Sequence, residues 1–379
     1  MRHIMFITGS RGEYGYIRPI LNIIKNRPDI KYSIVATNLH LLPNFGSSIN
    51  FFEADGLKVS HEIYMAMDGR TATSMSKSLG IFLTSITDIL HNEKPDIVLI
   101  SGDRGEQLMA AIAAAHMNII VAHIQAGEVS GNIDGLTRHA IARYAHIHFA
   151  SNEDAYQRLI KSGEQPFRVH KVGAPQLDDF LLNKIASKKE VIDYFHINEN
   201  EPIMLLVQHP VTEQCDKAYE QMSITLKALS RFKYQTIQIY PNNDAGSTSI
   251  QEAFNSLRGP WLKIERSVSR ELYAGLMKIA SVIIGNSSSG ILEAPCFELP
   301  AINIGRRQEG RLQGKNVINV DYDEESIYNA INLALSAEFK AGLKGIKNPY
   351  GDGLSSERIV NILSGIVIDE KLLYKKLTF

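Results

Sequence analysis

Short apolar runs alternate with longer amphipathic ones along this chain. Ile4–Thr8, Tyr32–Thr37, Asp96–Ser101, Ile119–Ile124 and Ile147–Ala150 are compact, mostly rich in β-branched residues, and read as strands. Between them, Ile17–Lys25, Ser74–Asn92 and Gln107–His116 carry helical patterns. Apolar strands alternating with helices predict parallel sheets covered on both faces. His170–Val172 continues the rhythm, and Gly173-Ala174-Pro175 punctuates it. A second set follows: Ile203–Gln208, Thr236–Tyr240, Leu262–Glu265, Ser281–Ile284, Ala301–Ile304 and Val317–Val320. The stretch from Gln176 to Asn200 is charged and helical, which sets the junction near residues 175–200.

The expected fold class is therefore α/β, with two doubly wound Rossmann-like domains facing a cleft. Residues 1–175 form the first, 176–354 the second, and 355–379, helical over Ser355–Leu373, pack back on the first. Open α/β sheets bind ligands beyond the C-terminal ends of their strands, so the residues just after each strand carry the information.

Composition narrows the partners. Forty basic residues against 41 acidic, a net charge of −1, argue against a broad nucleic-acid surface. Cys215 and Cys296 are the only cysteines, too few for a disulfide framework, which fits a reducing compartment. The opening MRHIMFITGSRGEYG reads as a strand and turn, not a leader. Met109–Ile124 is interrupted by His116, Asn118 and His123 and falls short of a membrane span. We expect a cytoplasmic protein with no membrane partner. The scattered histidines lack metal-ligand spacing, so neither a metal nor a cofactor is expected.

After the first strand, Gly9–Gly15 is glycine-rich and opens a helix, and Arg11 within it tilts the loop towards phosphate. Ser101-Gly102-Asp103-Arg104 brings a carboxylate and a guanidinium together at a strand end: Arg104 for a phosphate or sugar oxygen, Asp103 for proton transfer. The densest polar cluster is His123 to Glu128, then Asn132 to Asp134 and Arg138-His139. Glu128 and Asp134 are its acid/base candidates; His139 is a weaker one, and His123 fits a core position. His209, with Pro210 stopping its strand, is set to meet a leaving phosphate. Pro241–Ser247 offers Asn242, although the segment also reads as a plain turn. The sharpest signal is Gly285-Asn286-Ser287-Ser288-Ser289-Gly290 before a helix carrying Glu293 about two turns in. Ser287, Ser288 and helix N–H groups suit a diphosphate, Glu293 suits ribose hydroxyls, and Arg307 adds a cationic clamp.

At these residues the chain resembles the UDP-N-acetylglucosamine 2-epimerase family, and more narrowly its hydrolysing branch that opens sialic-acid synthesis. SRGEYG, SGDRGE, the block from His123 to Ala140, QHPVT, PNNDAGS, IGNSSSG with Glu293, and IGRRQEGR carry the resemblance in order over nearly the whole length. It implies a glycosyltransferase-B type fold, UDP bound mainly by the second domain, and a homodimer. It matches Arg11, Arg104, His209, Asn242, Ser287, Ser288, Glu293 and Arg307 to uridine- or diphosphate-contacting positions, Val268 to a uracil contact through backbone, and Asp103 to a catalytic Asp. Many relatives have Glu where this chain has Gln125; an amide orients water or an N-acetyl group but exchanges no proton at pH 7. If the reaction still requires that carboxylate, Glu128 or Asp134 supplies it.

The implied reaction converts UDP-GlcNAc and water to ManNAc and UDP, through elimination of UDP to 2-acetamidoglucal and hydration. The alternatives are a hydrolysing 2-epimerase for UDP-N,N′-diacetylbacillosamine, a retaining UDP-sugar glycosyltransferase, and a UDP-sugar sensor without catalysis.

Overall fold

The computed structural model describes residues 1–43, 48–67, 71–182, 185–242 and 244–379. Strands β1 (Arg2–Thr8), β2 (Ile30–Thr37), β3 (His61–Ile63), β4 (Ile97–Ser101), β5 (Ile120–Ile124), β6 (Ile147–Ala150) and β7 (Val169–Lys171) form one sheet, in the order β3-β2-β1-β4-β5-β6-β7. Strands β8 (Met204–Val207), β9 (Thr236–Ile239), β10 (Leu262–Glu265), β11 (Val282–Gly285), β12 (Ala301–Ile304) and β13 (Val317–Val320) form a second, in the order β10-β9-β8-β11-β12-β13. Every described pairing is parallel. The strand order reverses between β1 and β4 in one sheet and between β8 and β11 in the other, so each domain has one crevice at its strand ends.

Strand periodicity decides how these sheets are covered. Successive side chains point to opposite faces, so Ile4 and Phe6 join one core with Leu99, Ala122 and Phe149. Met5 and Ile7 join another with Val98, Ile100 and Val121. The helix Arg11–Ile24 covers the first face with Ile17, Leu21 and Ile24; the helix Ala72–Glu93 covers the second with Phe82, Ile86 and Leu90 at four-residue spacing. The second sheet is treated in the same way, Leu205 and Val207 on one face and Met204 and Leu206 on the other. This is a two-domain α/β fold with helices on both faces of two parallel sheets.

The chain passes between the sheets twice. Ala174 donates its N–H to the Tyr350 carbonyl at 2.6 Å, so the outward and return crossings lie side by side. Asp178 then caps the helix Ser355–Gly365, accepting the N–H groups of Ser355 (3.2 Å) and Ser356 (2.6 Å). Ile359, Val360 and Leu363 of that helix join the first core, and the buried Arg168 guanidinium donates to the carbonyls of Leu372 and Lys371.

Local structure departs from the sequence pattern in four places. The three-residue edge strand β3 is too short to show a period. The helix after β1 begins at Arg11 rather than Ile17, because Ser10 caps it by accepting the Glu13 N–H at 3.3 Å. The stretch Gln176–Asn200 is not one helix: Asp178–Leu181 and Lys188–Phe195 are separate, the latter opened by a Ser187/Glu190 capping box and closed by left-handed His196. The C-terminal stretch likewise breaks into Ser355–Gly365 and Glu370–Leu373, with Asp369 capping the second piece.

Candidate active site

Loops after the strands of both sheets wall two adjoining cavities. The larger, of about 550 Å³, is lined by Arg11, Arg104, His209, Asn242, Val268, Ser287, Ser288 and Glu293. The smaller, of about 100 Å³, shares Ser10, Gly12, Tyr16, Arg104 and Ser288 with it and holds Asp103, Asp134, Arg138, Arg307 and Arg311. One chamber is the roomier; the other gathers carboxylates and guanidiniums.

The second domain builds its wall at the β8/β11 switch point. Gly285 ends β11 at φ +127°, and a Cβ there would sit 2.2 Å from the Val207 carbonyl oxygen, so only glycine lets the two strand ends meet. The next residue, Asn286, is fully buried. Its Oδ1 accepts the His209 N–H at 2.7 Å and its Nδ2 donates to the His209 carbonyl at 2.8 Å. The Asn286 carbonyl in turn accepts from Arg307 Nη1 (3.2 Å) and Gln308 Nε2 (2.9 Å). One amide thus registers the loops after β8, β11 and β12.

His209 is held in one tautomer. The Asn242 N–H donates to its Nδ1 at 3.1 Å, which puts the ring proton on Nε2. Burial, and then the nearby Arg307, Arg104 and Arg11, lower its pKa well below the ordinary value, so it is a neutral donor. Asn242 Oδ1 and Arg307 Nε are buried without a hydrogen-bond partner among the described residues. Its neighbour Asn243 lies outside the described residues.

The serine loop also corrects an expectation. The helix after it is short, Ser289–Leu292, and Glu293 is its C-cap rather than lying two turns inside. Pro295 starts a tight turn over Ala294–Phe297 and stops the helix. A single turn carries little macrodipole, so the loop's capacity for an anion lies in its own N–H groups and hydroxyls. Glu293 still faces the larger cavity, 3.8 Å from Arg270.

The first domain contributes charge. Arg104 reaches across to Asp244 (2.9 Å) and back to Glu106 (3.3 Å), while Asn242 donates to Asp244 at 2.5 Å. Asp103 pairs with the buried Arg138, whose Nη1 donates to Ser130 at 3.2 Å. Asp134 accepts from Asn132 at 2.9 Å and lies 3.7 Å from Arg307. Burial first, then Asp103 and Asp244, push the Asp134 carboxyl up to about 6, with Arg307 and Arg104 opposing. Glu13, on the wall of the smaller cavity, is pushed up to about 8 by burial and by Glu106, against Arg104, the Gly9 N–H and Gln107.

Two expected site residues are elsewhere. Gln125 is buried in a left-handed turn (φ +59°) directly after β5 and lines neither cavity. Glu128 is also buried off both walls; its carboxylate accepts from Ser151 and Asn152 and faces Arg311 at 3.7 Å. His139 is half-buried outside both walls, and His123 is a core residue bonded to the Gly102 carbonyl at 2.7 Å. Sequence reasoning missed Tyr16, Arg138 and Arg311 on the smaller cavity, and Asn286 behind it. Each lies within or beside a motif it quoted, but spacing does not say which members turn inward.

Among the described residues, no cluster of three or more His, Cys, Asp or Glu could hold a metal ion. Nor is any described helix long and apolar enough to cross a membrane.

Comparison with known proteins adds the lineage. The family described as UDP-N-acetylglucosamine 2-epimerase matches residues 22–364. The chain is 35% identical over 376 residues to a Legionella pneumophila protein named UDP-N,N′-diacetylbacillosamine 2-epimerase (hydrolyzing), covering 99% of each. It is 30% identical over 380 residues to polysialic acid biosynthesis protein P7 of Escherichia coli, covering 99% of this chain and 97% of that one. Its fold is similar to that of UDP-GlcNAc 2-epimerase from Neisseria meningitidis, solved bound to UDP-GlcNAc, with a TM-score of 0.82 at 21% identity over 95% of this chain and 99% of that one. With likeness of this depth running from end to end, the chain belongs to the UDP-N-acetylglucosamine 2-epimerase family.

Proposed function

We propose that the cleft carries out hydrolytic 2-epimerisation of a UDP-linked 2-acetamido sugar, converting UDP-GlcNAc and water to ManNAc and UDP. The observation that carries this reading is the adjoining pair of cavities: Arg11, Arg104, the neutral His209 and the small residues of the serine loop line one, and Asp103 and Asp134 stand in the other. UDP lies in the larger cavity, its diphosphate on the Ser287–Ser288 loop with Arg11, Arg104 and His209, its ribose at Glu293 and its uracil at the Val268 backbone. Asn242 and Arg307 supply further contacts.

The chemistry assigns the rest. A sugar C2–H is not acidic in the ground state; as the C1–O bond to UDP lengthens, oxocarbenium character makes that proton removable. Fixed donors stabilise the departing diphosphate. Asp103 takes the C2 proton, the C1–O bond breaks with its electron pair leaving on UDP, and 2-acetamidoglucal forms. Asp134, the carboxyl raised towards neutrality, gives its proton to C2 from the opposite face while water adds at C1 and passes a proton to the carboxylate so formed; Asp103 then releases the proton it took to solvent. Neither step requires a redox cofactor.

The name of the Legionella relative favours a second substrate, UDP-N,N′-diacetylbacillosamine, handled by the same steps. The name of the E. coli relative supports a place in sialic-acid biosynthesis. The reading carries with it a cytoplasmic homodimer with a hinge between residues 1–175 and 176–354, and light scattering checks the dimer. The deciding experiment is proton NMR of the reaction in deuterated water with each UDP-sugar. Free ManNAc or its diacetyl counterpart, deuterated at C2, is expected; UDP release only when a sugar acceptor is added would make the protein a glycosyltransferase, and tight UDP binding with no turnover would make it a sensor.

A further inference from the structure

The loop that leads from Glu128 into the helix Ile133–Tyr144, whose first turn carries Asp134, is gripped from both sides. On the first-domain side, Glu128 at its start is bonded to Ser151 and Asn152, and Ser130 to Arg138. On the other side, the turn after β12 crosses the cleft. Arg306 Nε donates to the Gly131 carbonyl at 3.0 Å, the Gly131 N–H donates to the Arg307 carbonyl at 3.0 Å, and Arg311 Nε donates to the Val129 carbonyl at 3.2 Å. The approach is close enough that a Cβ on Gly131 would fall 1.8 Å from the Arg306 carbonyl oxygen. Arg311 is only 7% exposed and faces the buried Glu128 at 3.7 Å. Its Nη1 donates to Gln308 at 3.0 Å, and Gln308 donates to the Asn286 carbonyl beside the serine loop.

We propose that Arg311 is a positioning residue for the reaction: reaching over from the second domain, it fixes the Glu128–Asp134 loop where Asp134 meets the sugar. A continuous chain of contacts, Asn286 to Gln308 to Arg311 to Val129 and Glu128, then links the diphosphate loop to the acid loop. Glu128 serves as the buried anchor for that guanidinium and handles no proton itself. The charge pair has a reason to be buried there: removing either member leaves the other charge uncompensated away from water, so the loop has one stable seat when the domains are together.

The inference rests on the proposed reaction, and its test separates the two. Full-length Arg311→Met, Arg311→Lys and Gly131→Ala proteins are assayed for UDP release from both UDP-sugars, for UDP affinity by calorimetry, and for amide hydrogen exchange in residues 128–134 with and without UDP. Misplacing a catalytic group by an ångström costs about 100-fold, so Arg311→Met and Gly131→Ala should lose roughly that in kcat while KM and UDP affinity stay within about threefold. UDP should slow exchange in 128–134 of the unaltered protein and not of Arg311→Met, and Arg311→Lys should recover part of the turnover. Gly131→Ala touches neither cavity wall, so it keeps the test open if Arg311→Met fails to fold. Unchanged kcat in either variant, or a loss confined to KM and UDP affinity, overturns the proposal. Absence of turnover by the unaltered protein defeats the functional reading instead, and the exchange measurement still decides whether Arg311 seats the loop.

Discussion

The wall from the second domain and the wall from the first are held by different forces. In the second, Asn286, His209 and Asn242 are fixed by short neutral hydrogen bonds, all within one sheet edge. In the first, Asp103, Asp134, Arg104 and Glu128 are fixed by ion pairs, three of which (Arg104–Asp244, Arg307–Asp134 and Arg311–Glu128) have their other member across the cleft. A neutral network keeps its shape whether or not the domains are together. A charged one depends on closure, because its partners arrive with the other domain. This division suits the proposed chemistry: the nucleotide is gripped by a preformed surface, and proton transfer waits for assembly.

The sharpest way to break that comparison is Asp103→Asn. If the charged wall does the proton transfer, turnover should fall about a thousandfold or more while UDP affinity measured by calorimetry is unchanged. Normal turnover would remove Asp103 from the reaction. Next in size, His209→Ala removes a neutral donor aimed at the leaving diphosphate and should cost about 100-fold in kcat. The ring is already deprotonated near neutrality, so the remaining pH profile should keep its shape.

Ser287→Ala combined with Ser288→Ala should act on binding alone. Two neutral hydrogen bonds at roughly 1 kcal/mol each weaken UDP affinity by about tenfold to thirtyfold. An unchanged affinity would take the diphosphate away from this loop.

The smallest effect is a pH dependence that assigns the two carboxylates. Asp134 faces Asp103 and Asp244, which raise it, and Arg307 and Arg104, which lower it, and it stands at about 6. If its protonated form delivers hydrogen to C2, kcat falls as pH rises through that value, by about tenfold per unit on the alkaline side. The bound diphosphate, being negative, moves the midpoint upward. The limb should vanish in Asp134→Asn. A rate that instead climbs as pH rises through the same point exchanges the roles of Asp103 and Asp134.

Legibility followed the same division. Strand positions were readable because apolar β-branched runs bounded by turns mark strands wherever they occur: Ile147–Ala150 and Ala301–Ile304 match the structure at both ends. Most of the polar residues that line the larger cavity were readable as loop residues too, since they lie within a few positions of a strand end, as His209 does after β8 and Ser287 after β11. Helix boundaries were less so, because caps such as Ser10 and stops such as Pro295 act through one hydrogen bond or one missing donor.

The sequence by itself determined the two parallel sheets and the small-residue loop, since hydrophobic period and turn chemistry are local properties of the chain. Only the tertiary structure decided which of three neighbouring polar residues faces the smaller cavity. Gln125, Glu128 and Asp134 stand within one short stretch of sequence, yet a left-handed turn buries the first, Arg311 claims the second, and the third alone reaches the smaller cavity. The physical reason is that a buried charge takes its position from its counter-charge. Here the counter-charge comes from 183 residues further along the chain, counting from Glu128 to Arg311.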